Sequence, residues 1–253
     1  MSQLNKAIIF AAGLGSRMGP YTKGLPKTLL AVGNQTIFDR IILGLDNIGI
    51  SDIVVVTGYA GSTLQSHALS CSKNLVEHDL NFEFITNDNL EIGNIYSFWL
   101  ARDKMDEDFI LFNSDVVFDF GTLALLKKNQ NPYALLIDDC KPLGIEEMKV
   151  KIKEGQVIKE IRKELDPSEA DGEYIGIMKV SNDVAAKVRD KIELLLSQHK
   201  FPLYYEDAFG LVAKEEDCLF ACSTKGLPWT EIDTIDDMNY ARNIILPRIE
   251  TLV

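Results

Sequence analysis

The sequence predicts an α/β fold in which a mainly parallel, mixed β-sheet is flanked by helices. In the first half of the chain, short apolar runs rich in β-branched residues alternate with amphipathic helical patterns. This alternation favours parallel strands that are covered on both faces. In the second half, alternating polar and apolar residues surround the Glu154-Gly155 dipeptide, which indicates an antiparallel hairpin inserted into the sheet.

The first half of the chain is predicted to contain four strands and three helices. The helical pattern is clearest where Ile37, Ile41 and Leu45 recur on one face. The predicted strands are residues 6–12, 52–58, 82–86 and 108–115, and the predicted helices are residues 36–49, 61–71 and 94–105. Right-handed crossovers place the loops that follow these strands at one edge of the sheet, where ligands usually bind.

The second half is predicted to add further strands and three helices. The strands are residues 133–139, 173–180, 218–224 and the two arms of the hairpin, 148–152 and 156–163; the helices are residues 183–198, 204–216 and 233–252. Asp233 or Thr234 is expected to cap the last helix. Because no Ser/Gly-rich linker and no internal repeat interrupts the sequence, we expect a single domain spanning residues 1–253.

The excess of acidic residues bears on which kind of partner the protein can bind. Among 253 residues, 38 are acidic and 26 are basic, which gives a formal net charge of −12. A polyanion is bound by a basic surface, so this balance argues against nucleic acid as a partner and suits a small-molecule substrate. No apolar run is long enough for a membrane span, and the segment MSQLNK lacks the apolar region of a secretory signal. We therefore expect a cytoplasmic location without membrane association.

The cysteines and histidines form no recognisable metal or disulfide pattern. The four cysteines are scattered along the chain, and Cys218 and Cys222 lie in an apolar run without histidine nearby. Buried thiols of a cytosolic protein are therefore expected, rather than a zinc site. His67, His78 and His199 belong to no catalytic arrangement.

The segment KAIIFAAGLGSRMGPYTKGLPKTLL, residues 6–30, brings glycines and cations together directly after a buried strand. Small residues let the backbone approach a ligand closely, and successive N–H groups there can form an anion-binding nest. Arg17 offers a bidentate phosphate contact and Lys27 a mobile point charge, with Lys23 nearby. This combination favours a cradle for a nucleoside triphosphate.

Three other interpretations of this segment are weaker. A dinucleotide-binding turn needs its third glycine where Met18 stands, and Gly19 comes one residue late. A Walker phosphate loop needs G-K-[ST], which does not follow the glycines. A plain glycine turn with a solvated arginine would leave Lys23 and Lys27 unexplained.

The motif AAGLGSRM followed by LPKTLL resembles the signature of the sugar-phosphate nucleotidyltransferase superfamily, L-x-x-G-x-G-x-R-[LM] followed by P-K. The resemblance implies a single Rossmann-like nucleotidyltransferase domain. Its nucleotide-binding half would cover about residues 1–117, and its acceptor-binding half, with the terminal helix, about residues 118–253.

Further segments extend the resemblance along the chain. FNSDVVF places Asp115 at a strand end, and WTEIDTIDDMNYA places Asp233 just before the terminal helix. The latter element and NDNLEIGNIYSFWLA are most similar to the phosphocholine cytidylyltransferase branch. The stretches LLIDDCKPLGIEEMKVKI and EADGEYIGIMKV are similar to branches that handle phosphonates or inositol phosphate with CTP.

The resemblance also implies roles for individual residues. Arg17 and Lys27 would act on the phosphates at the reaction centre, and Asp115 and Asp233 would bind Mg²⁺, a cation that takes oxygen ligands. The residues expected to bind the nucleotide are Ala11, Ala12, Gly13, Gly15, Asn87 and Asn113. The residues expected to bind the acceptor are Asn94, Tyr96, Lys149 and Glu173. The ordinary alternatives are surface acids at strand ends, a helix cap for Asn94 and a solvent-facing lysine at residue 149.

The implied function is Mg²⁺-dependent transfer of CMP from CTP to a small phosphorylated or phosphonylated alcohol, such as phosphocholine or 2-aminoethylphosphonate, with release of pyrophosphate. The attacking oxygen is already anionic, so neither a nucleophilic side chain nor a general base is needed. The alternative with the same chemistry uses a sugar 1-phosphate and UTP, dTTP or GTP. A dehydrogenase and a non-catalytic nucleotide sensor are alternatives from other classes. An antiparallel hairpin of this kind can also supply a homodimer contact.

Overall fold

The computed structural model describes residues 4–198 and 202–251. His199 and Leu252, the last residue of the predicted terminal helix, lie outside the described residues. Within those residues, no helix is both long and apolar enough to cross a membrane.

Thirteen strands and eight α-helices are described. The strands are β1 (Lys6–Ala11), β2 (Ala31–Val32), β3 (Gln35–Thr36), β4 (Asp52–Thr57), β5 (Asn81–Thr86), β6 (Phe109–Asn113), β7 (Val116–Phe118), β8 (Ala134–Asp138), β9 (Lys149–Lys153), β10 (Val157–Arg162), β11 (Gly172–Val180), β12 (Phe220–Ser223) and β13 (Trp229–Glu231). The helices are α1 (Ile37–Asn47), α2 (Gly61–Leu75), α3 (Asn94–Ala101), α4 (Gly121–Lys128), α5 (Asn182–Ser197), α6 (Tyr205–Glu215), α7 (Ile235–Tyr240) and α8 (Leu246–Glu250).

Nine of these strands form one mixed sheet in the order β5-β4-β1-β6-β11-β8-β12-β10-β9. β1 runs parallel to β4 and β6, and β4 runs parallel to β5. β11 runs antiparallel to β6 and β8, whereas β8 and β12 are parallel. The predicted α/β fold with a mixed sheet is confirmed, with parallel pairs in the first half and mostly antiparallel pairs in the second.

The central strand β1 is buried on both faces of the sheet. Ala7 and Ile9 pack into the core on the side of α1, and Ile8 and Phe10 pack into the core on the side of α3. Successive side chains of a strand point to opposite faces, so an uninterrupted apolar run is what a doubly covered strand requires. Each fully buried isoleucine or phenylalanine contributes about 1.5–3 kcal/mol relative to an exposed one.

The predicted hairpin is confirmed, because β9 pairs antiparallel with β10 across a turn at Glu154–Gln156. The predicted strand 108–115 corresponds to β6, which ends two residues earlier, at Asn113. Ser114 and Asp115 form a turn, and β7 begins beyond the end of the predicted strand. α4 and β13 are absent from the sequence-based prediction. At eight residues, α4 is too short to present a clear helical period.

The terminal helix predicted at 233–252 is confirmed as one uninterrupted helical run from Ile235 to Glu250, but its middle turn is not α-helical. α7 is joined to α8 by a π-helical turn at Ala241–Ile245. Pro247 has no N–H to donate within the first turn of α8, so the regular hydrogen-bond pattern changes just before it. Strands from both predicted halves of the chain share the large sheet; the single domain and its division by function remain predictions.

Candidate active site

The loop after β1 forms the wall of a cavity at the carboxyl edge of the parallel strands. Gly15 has a φ of 60°, in the left-handed region that favours glycine. A Cβ at this position would lie 3.0 Å from Thr22 Cγ2 and 3.1 Å from Lys27 Cβ, and the Thr22 hydroxyl donates a hydrogen bond to the Gly15 carbonyl at 2.9 Å. Glycine is therefore required both by the backbone and by the close approach of Lys27.

This first cavity has a volume of about 350 Å³, within the usual range for small-molecule sites. It brings together the whole set of residues predicted to bind the nucleotide, which are Ala11, Ala12, Gly13, Gly15, Asn87 and Asn113. Arg17, Lys27, Asp115 and Asp233 line the same cavity. Residues that are more than 200 positions apart in the sequence thus meet at one edge of the sheet.

Lys27 lies between the two aspartates that the sequence singled out. Its Nζ donates to Asp115 Oδ2 at 2.7 Å and to Asp233 Oδ1 at 2.8 Å. An Arg17 guanidinium nitrogen lies 2.8 Å from the other Asp233 oxygen, Oδ2. Burial alone would lower the pKa of the Lys27 ammonium, but the charges of Asp115 and Asp233 outweigh burial and hold that pKa above its ordinary value. Lys27 is therefore a fixed positive charge at neutral pH.

Glu231 completes a carboxylate cluster with Asp115 and Asp233. One ligand oxygen from each of the three side chains lies within 4.8 Å of the others. Asp115 Oδ1 is buried and has no hydrogen-bond partner among the described residues. Glu231 is exposed to the open cleft, but the pKa of its carboxyl is well above the ordinary value. The main cause is desolvation by the surrounding protein, and the negative charges of Asp115 and Asp233 add to it.

Two short strands hold this cluster together. β7 and β13 pair antiparallel, with Glu231 opposite Val116, and the Ile232 N–H donates to the Asp115 carbonyl at 2.9 Å. Thr234 caps α7 with a reciprocal pair of hydrogen bonds to Asp237. Since Thr234 is the capping residue, the Asp233 carboxylate is left for Lys27 and Arg17. Burial would raise the pKa of Asp233, but Lys27 and then Arg17 lower it.

The sequence-based prediction missed Glu231, although its signal was present. Glu231 stands two residues before Asp233 in the E-I-D element, and side chains two apart in an extended segment point to the same side. The pairing of β13 with β7 was not foreseen, so there was no reason to expect a third carboxylate beside Asp115.

A second cavity of about 360 Å³ adjoins the first. The two cavities share Arg17, Asn94, Asn113, Tyr204, Glu231 and Asp233 as lining residues. Glu231 and Asp233 therefore lie where the cavities meet, and Lys27 and Asp115, which line the first cavity, lie beside them. Side chains from the second half of the chain provide much of the remaining wall, among them Lys141, Lys163, Glu173 and Glu206.

Two of the four residues predicted to contact an acceptor lie on these walls. Glu173 lines the second cavity and is 5% exposed, and its Oε2 lies 2.6 Å from Lys141 Nζ. Asn94 lines both cavities. Its side-chain oxygen accepts from the Tyr205 N–H at 2.9 Å, so Asn94 joins α3 to the start of α6.

The structure corrects the expectation for Lys149 and does not support that for Tyr96. Lys149 is fully buried, does not line either cavity, and donates to the carbonyls of Ile145 and Glu147 at 3.0 and 2.9 Å. The preceding loop thus covers the face of β9 from which a solvated lysine was expected to project. Tyr96 lines neither cavity, whereas the next residue, Ser97, lines the first.

A hydroxyl chain links the second cavity to the end of β6. Tyr174 and Tyr205 have their hydroxyl oxygens 3.0 Å apart, and the Tyr205 hydroxyl donates to Asn113 Oδ1 at 2.9 Å. Asn113 precedes Asp115 by two residues, so this chain fixes the strand end that carries the carboxylate. Asn87 is similarly occupied, because its amide donates to the Ser97 hydroxyl at 3.1 Å and accepts from the Asn89 N–H at 2.9 Å. Its side chain shapes the first cavity.

Glu206 is a buried acid that the sequence did not single out. It lines the second cavity but is only 3% exposed, and the Asn94 amide donates to its Oε2 at 3.3 Å. Burial raises the pKa of this carboxyl from 4.5 to about 7, although hydrogen bonds partly counteract it. No side-chain cation lies within ion-pair distance among the described residues.

Comparison with known proteins places this geometry in a family. The family model for nucleotidyl transferases matches residues 6–137 of the chain. A CTP:phosphoglutamine cytidylyltransferase from Campylobacter jejuni is 28% identical over 255 residues, covering 92% of this chain and 97% of that protein. A bifunctional IPC transferase and DIPP synthase from Aquifex aeolicus is 27% identical over 95% of this chain, which spans only 51% of that protein.

A solved structure supports the same fold over almost the whole chain. The inositol-1-phosphate CTP transferase from T. maritima superimposes with a TM-score of 0.78 at 20% identity, covering 98% of this chain and 96% of that one. The resemblance that the N-terminal motif indicated is confirmed by these matches. The chain belongs to the nucleotidyl transferase family and is a nucleotidyltransferase.

Proposed function

We propose that this protein is a Mg²⁺-dependent cytidylyltransferase that transfers CMP from CTP to a small phosphorylated or phosphonylated alcohol and releases pyrophosphate. The observation that carries the proposal is the contact of Lys27 with Asp115 in the first cavity and with Asp233 at the junction of the two cavities. Two anionic substrates that react at one phosphorus need separate sites that converge on a cationic and metal-binding centre. The choice of CTP is supported by the names of the relatives that cover nearly the full chain.

The first cavity would bind the nucleotide. The loop from Ala11 to Gly15 would offer backbone N–H groups to the triphosphate, and Arg17 would bind its outer phosphates. The Arg17 side chain is 65% exposed, so it can exchange Asp233 for a phosphate without losing buried contacts. Lys27 would contact the α-phosphate, where negative charge accumulates in the transition state.

The carboxylate cluster fits a divalent cation. Asp115 Oδ1 is buried without a hydrogen-bond partner among the described residues, and the three carboxylates converge within 4.8 Å. Such hard oxygen donors suit Mg²⁺, with Asp115 and Asp233 as the expected ligands and Glu231 as a third. When bound, Mg²⁺ would neutralise phosphate charge and stabilise the pyrophosphate leaving group.

The second cavity would bind the acceptor and bring its anionic oxygen to the junction. No nucleophilic side chain is required, because a phosphate or phosphonate oxygen carries negative charge at neutral pH. The contribution of this chain is positioning and charge neutralisation, which together can supply much of the rate enhancement of a displacement at phosphorus.

The test is pyrophosphate release with Mg²⁺ across a grid of nucleoside triphosphates and acceptors. The acceptors would include phosphocholine, ethanolamine phosphate, 2-aminoethylphosphonate, inositol phosphate, glycerol phosphate and glucose 1-phosphate. We expect turnover only with CTP and a phosphorylated or phosphonylated alcohol. Turnover only with a sugar 1-phosphate and UTP, dTTP or GTP would favour the alternative substrate class with the same mechanism.

A matched pair of lysine variants tests the role of the site. Lys27→Met should lower kcat by about 10²–10³, the usual cost of removing one charged transition-state contact. Lys23→Met serves as the control, because Lys23 is exposed in the same loop and lines neither cavity. Equal activity of the two variants would refute the assignment of Lys27.

A further inference from the structure

The second cavity contains carboxylates that have no cationic partner among the described residues. Outside the carboxylate cluster it is lined by four glutamates, Glu146, Glu147, Glu173 and Glu206, and by Asp237, whose carboxylate accepts the capping hydrogen bonds of α7. Its cations are already paired, since Lys141 lies 2.6 Å from Glu173 and Lys163 lies 3.6 Å from Glu146, while Arg17 contacts Asp233. Among the described residues, Glu147 and Glu206 have no ion-pair partner. A cavity that binds only a phosphate would be expected to have unpaired cations rather than unpaired carboxylates.

The ammonium of Lys141 occupies a site that is built for a cation. Its Nζ lies 4.6 Å from the centre of the Trp229 ring, as well as 2.6 Å from Glu173 Oε2. The face of an aromatic ring and a carboxylate together are a typical receptor for an ammonium group. Trp229 is held in place because its indole N–H donates to Asp138 Oδ2 at 2.8 Å.

The receptor residues Glu173 and Trp229 are buried, whereas the Lys141 side chain between them is partly exposed. Glu173 and Trp229 are 5% and 8% exposed, and both lie on strands of the fold. The Lys141 side chain is 42% exposed, and it belongs to the segment 139–148, which has no helix or strand. An exposed lysine loses little when it leaves such a pair. Buried Glu173, in contrast, loses stability if it is left without a positive partner.

From this arrangement we infer that the acceptor carries an ammonium group, and that this group replaces the Lys141 ammonium between Glu173 and Trp229. The inference deepens the proposed function, on which it rests for describing the ligand as an acceptor. Once displaced, Lys141 remains at the cavity wall as a free cation and is available to the acceptor's phosphate or phosphonate. Displacement of Lys141 would thus provide a binding partner for each charged end of a zwitterionic acceptor.

Direct binding of ethanolamine, which has an ammonium group but no phosphate, tests this inference without any turnover. The reporter is the indole N–H of Trp229, one of two tryptophans in the chain, followed by ¹H–¹⁵N NMR in a titration of the full-length protein. Lys141→Met keeps most of the length of the side chain and removes its charge. If Lys141 occupies the ammonium site, Lys141→Met should bind ethanolamine roughly tenfold to a hundredfold more tightly than wild type.

Lys163→Met is the matched control, because Lys163 lines the same cavity, pairs with Glu146 and lies 5.8 Å from the Tyr204 ring. It changes the net charge of the cavity equally but should leave ethanolamine affinity nearly unchanged. Glu173→Gln should bind ethanolamine more weakly than wild type, by a factor similar to that by which Lys141→Met binds it more tightly. The inference is overturned if Lys141→Met binds no more tightly than wild type, or if Lys163→Met gains as much.

A comparison of two acceptors extends the test to the reaction. Ethanolamine phosphate should have a kcat/KM that exceeds that of 2-hydroxyethyl phosphate roughly tenfold to a hundredfold, and Glu173→Gln should remove most of that difference. Equal kcat/KM values would contradict the ammonium site while leaving the proposed reaction intact. Tight ethanolamine binding without any pyrophosphate release would uphold the site and contradict the proposed reaction.

Discussion

Replacing the buried acid Glu206 by glutamine should stabilise the protein, and by an amount that depends on pH. Burial raises the pKa of the Glu206 carboxyl from 4.5 to about 7 in the folded state. The folded protein therefore holds the proton more tightly than the unfolded chain, so stability falls as pH rises from about 4.5 to about 7 and is level above that. At about 1.4 kcal/mol per pH unit, the cost at pH 8 is about 3 kcal/mol.

Glu206→Gln removes this cost because the amide is neutral at every pH and can still accept a hydrogen bond from Asn94. We expect no gain in the free energy of unfolding near pH 4, and a gain of about 3 kcal/mol at pH 8. Urea denaturation of the variant and wild type at pH 4, 6 and 8 measures the difference. Other acids titrate over the same range, but their contributions cancel between the two proteins.

Glu215→Gln provides the control on the same helix. Glu215 is exposed at the end of α6 and pairs with Lys191 at 2.6 Å, so its replacement should change stability by about 0.5 kcal/mol or less. A gain in Glu206→Gln that does not vary with pH, or a loss at pH 8, would refute the reasoning. Retention of such a costly acid at the wall of the second cavity is consistent with a role in binding.

Three other predictions concern residues of the site and its supports. Asp115→Asn should lower the rate of pyrophosphate release by at least about 10³, because it removes a proposed metal ligand. Its melting temperature should stay near that of wild type. Substantial Mg²⁺-dependent activity would contradict the assignment. Thr234→Ala should cost about 1 kcal/mol in urea denaturation, because it removes the cap that pairs with Asp237, and an unchanged midpoint would argue against that cap. Gly15→Ala should lower the free energy of unfolding by about 1–2 kcal/mol, because the left-handed backbone and the contact with Thr22 leave no room for Cβ. It should also weaken nucleotide binding measured by calorimetry. Wild-type affinity would show that the loop tolerates the change.

The sequence predicted the sheet and the convergence on its edge because both follow from local patterns. Doubly buried strands such as β1 are uninterrupted apolar runs, and their carboxyl ends must lie together in a parallel sheet. The loop motif was predicted from its own residues, whereas Asp115 and Asp233 were assigned through the family resemblance, because an acid at a strand end is by itself an ordinary surface residue. The hairpin was equally clear, since its alternation and its glycine turn are encoded within sixteen residues, 148–163.

What the sequence did not predict depends on contacts between distant segments. Glu231 joins the carboxylate cluster only because β13 pairs with β7, and neither three-residue strand has a pattern of its own. Lys149 occupies an alternating strand, but the carbonyls of the preceding loop cover it and bind its ammonium. Tertiary contacts of this kind override the local expectation that a lysine faces water.

The acceptor side was the least predictable part for the same reason. Glu206 belongs to a helix whose pattern resembles that of an ordinary amphipathic segment, and it is buried only when this helix packs against its neighbours, which include β10, α5 and α3. Lys141 lies in a segment without regular structure, so its position over Trp229 could not be anticipated. A cavity assembled from loops and helix ends carries no periodic signal in the sequence.

The most direct test of the central claim is the phosphorus chemistry of the products. Wild-type protein, Mg²⁺, CTP and ethanolamine phosphate would be followed by ³¹P NMR as the CTP is consumed. Attack of the acceptor's phosphate oxygen at the α-phosphorus forms a phosphoanhydride bond and releases pyrophosphate. It therefore predicts the signal of free pyrophosphate together with a new pair of coupled signals from CDP-ethanolamine. Appearance of CDP without pyrophosphate would mean attack at the γ-phosphorus, and CMP without a coupled product would mean hydrolysis; either result would contradict the account.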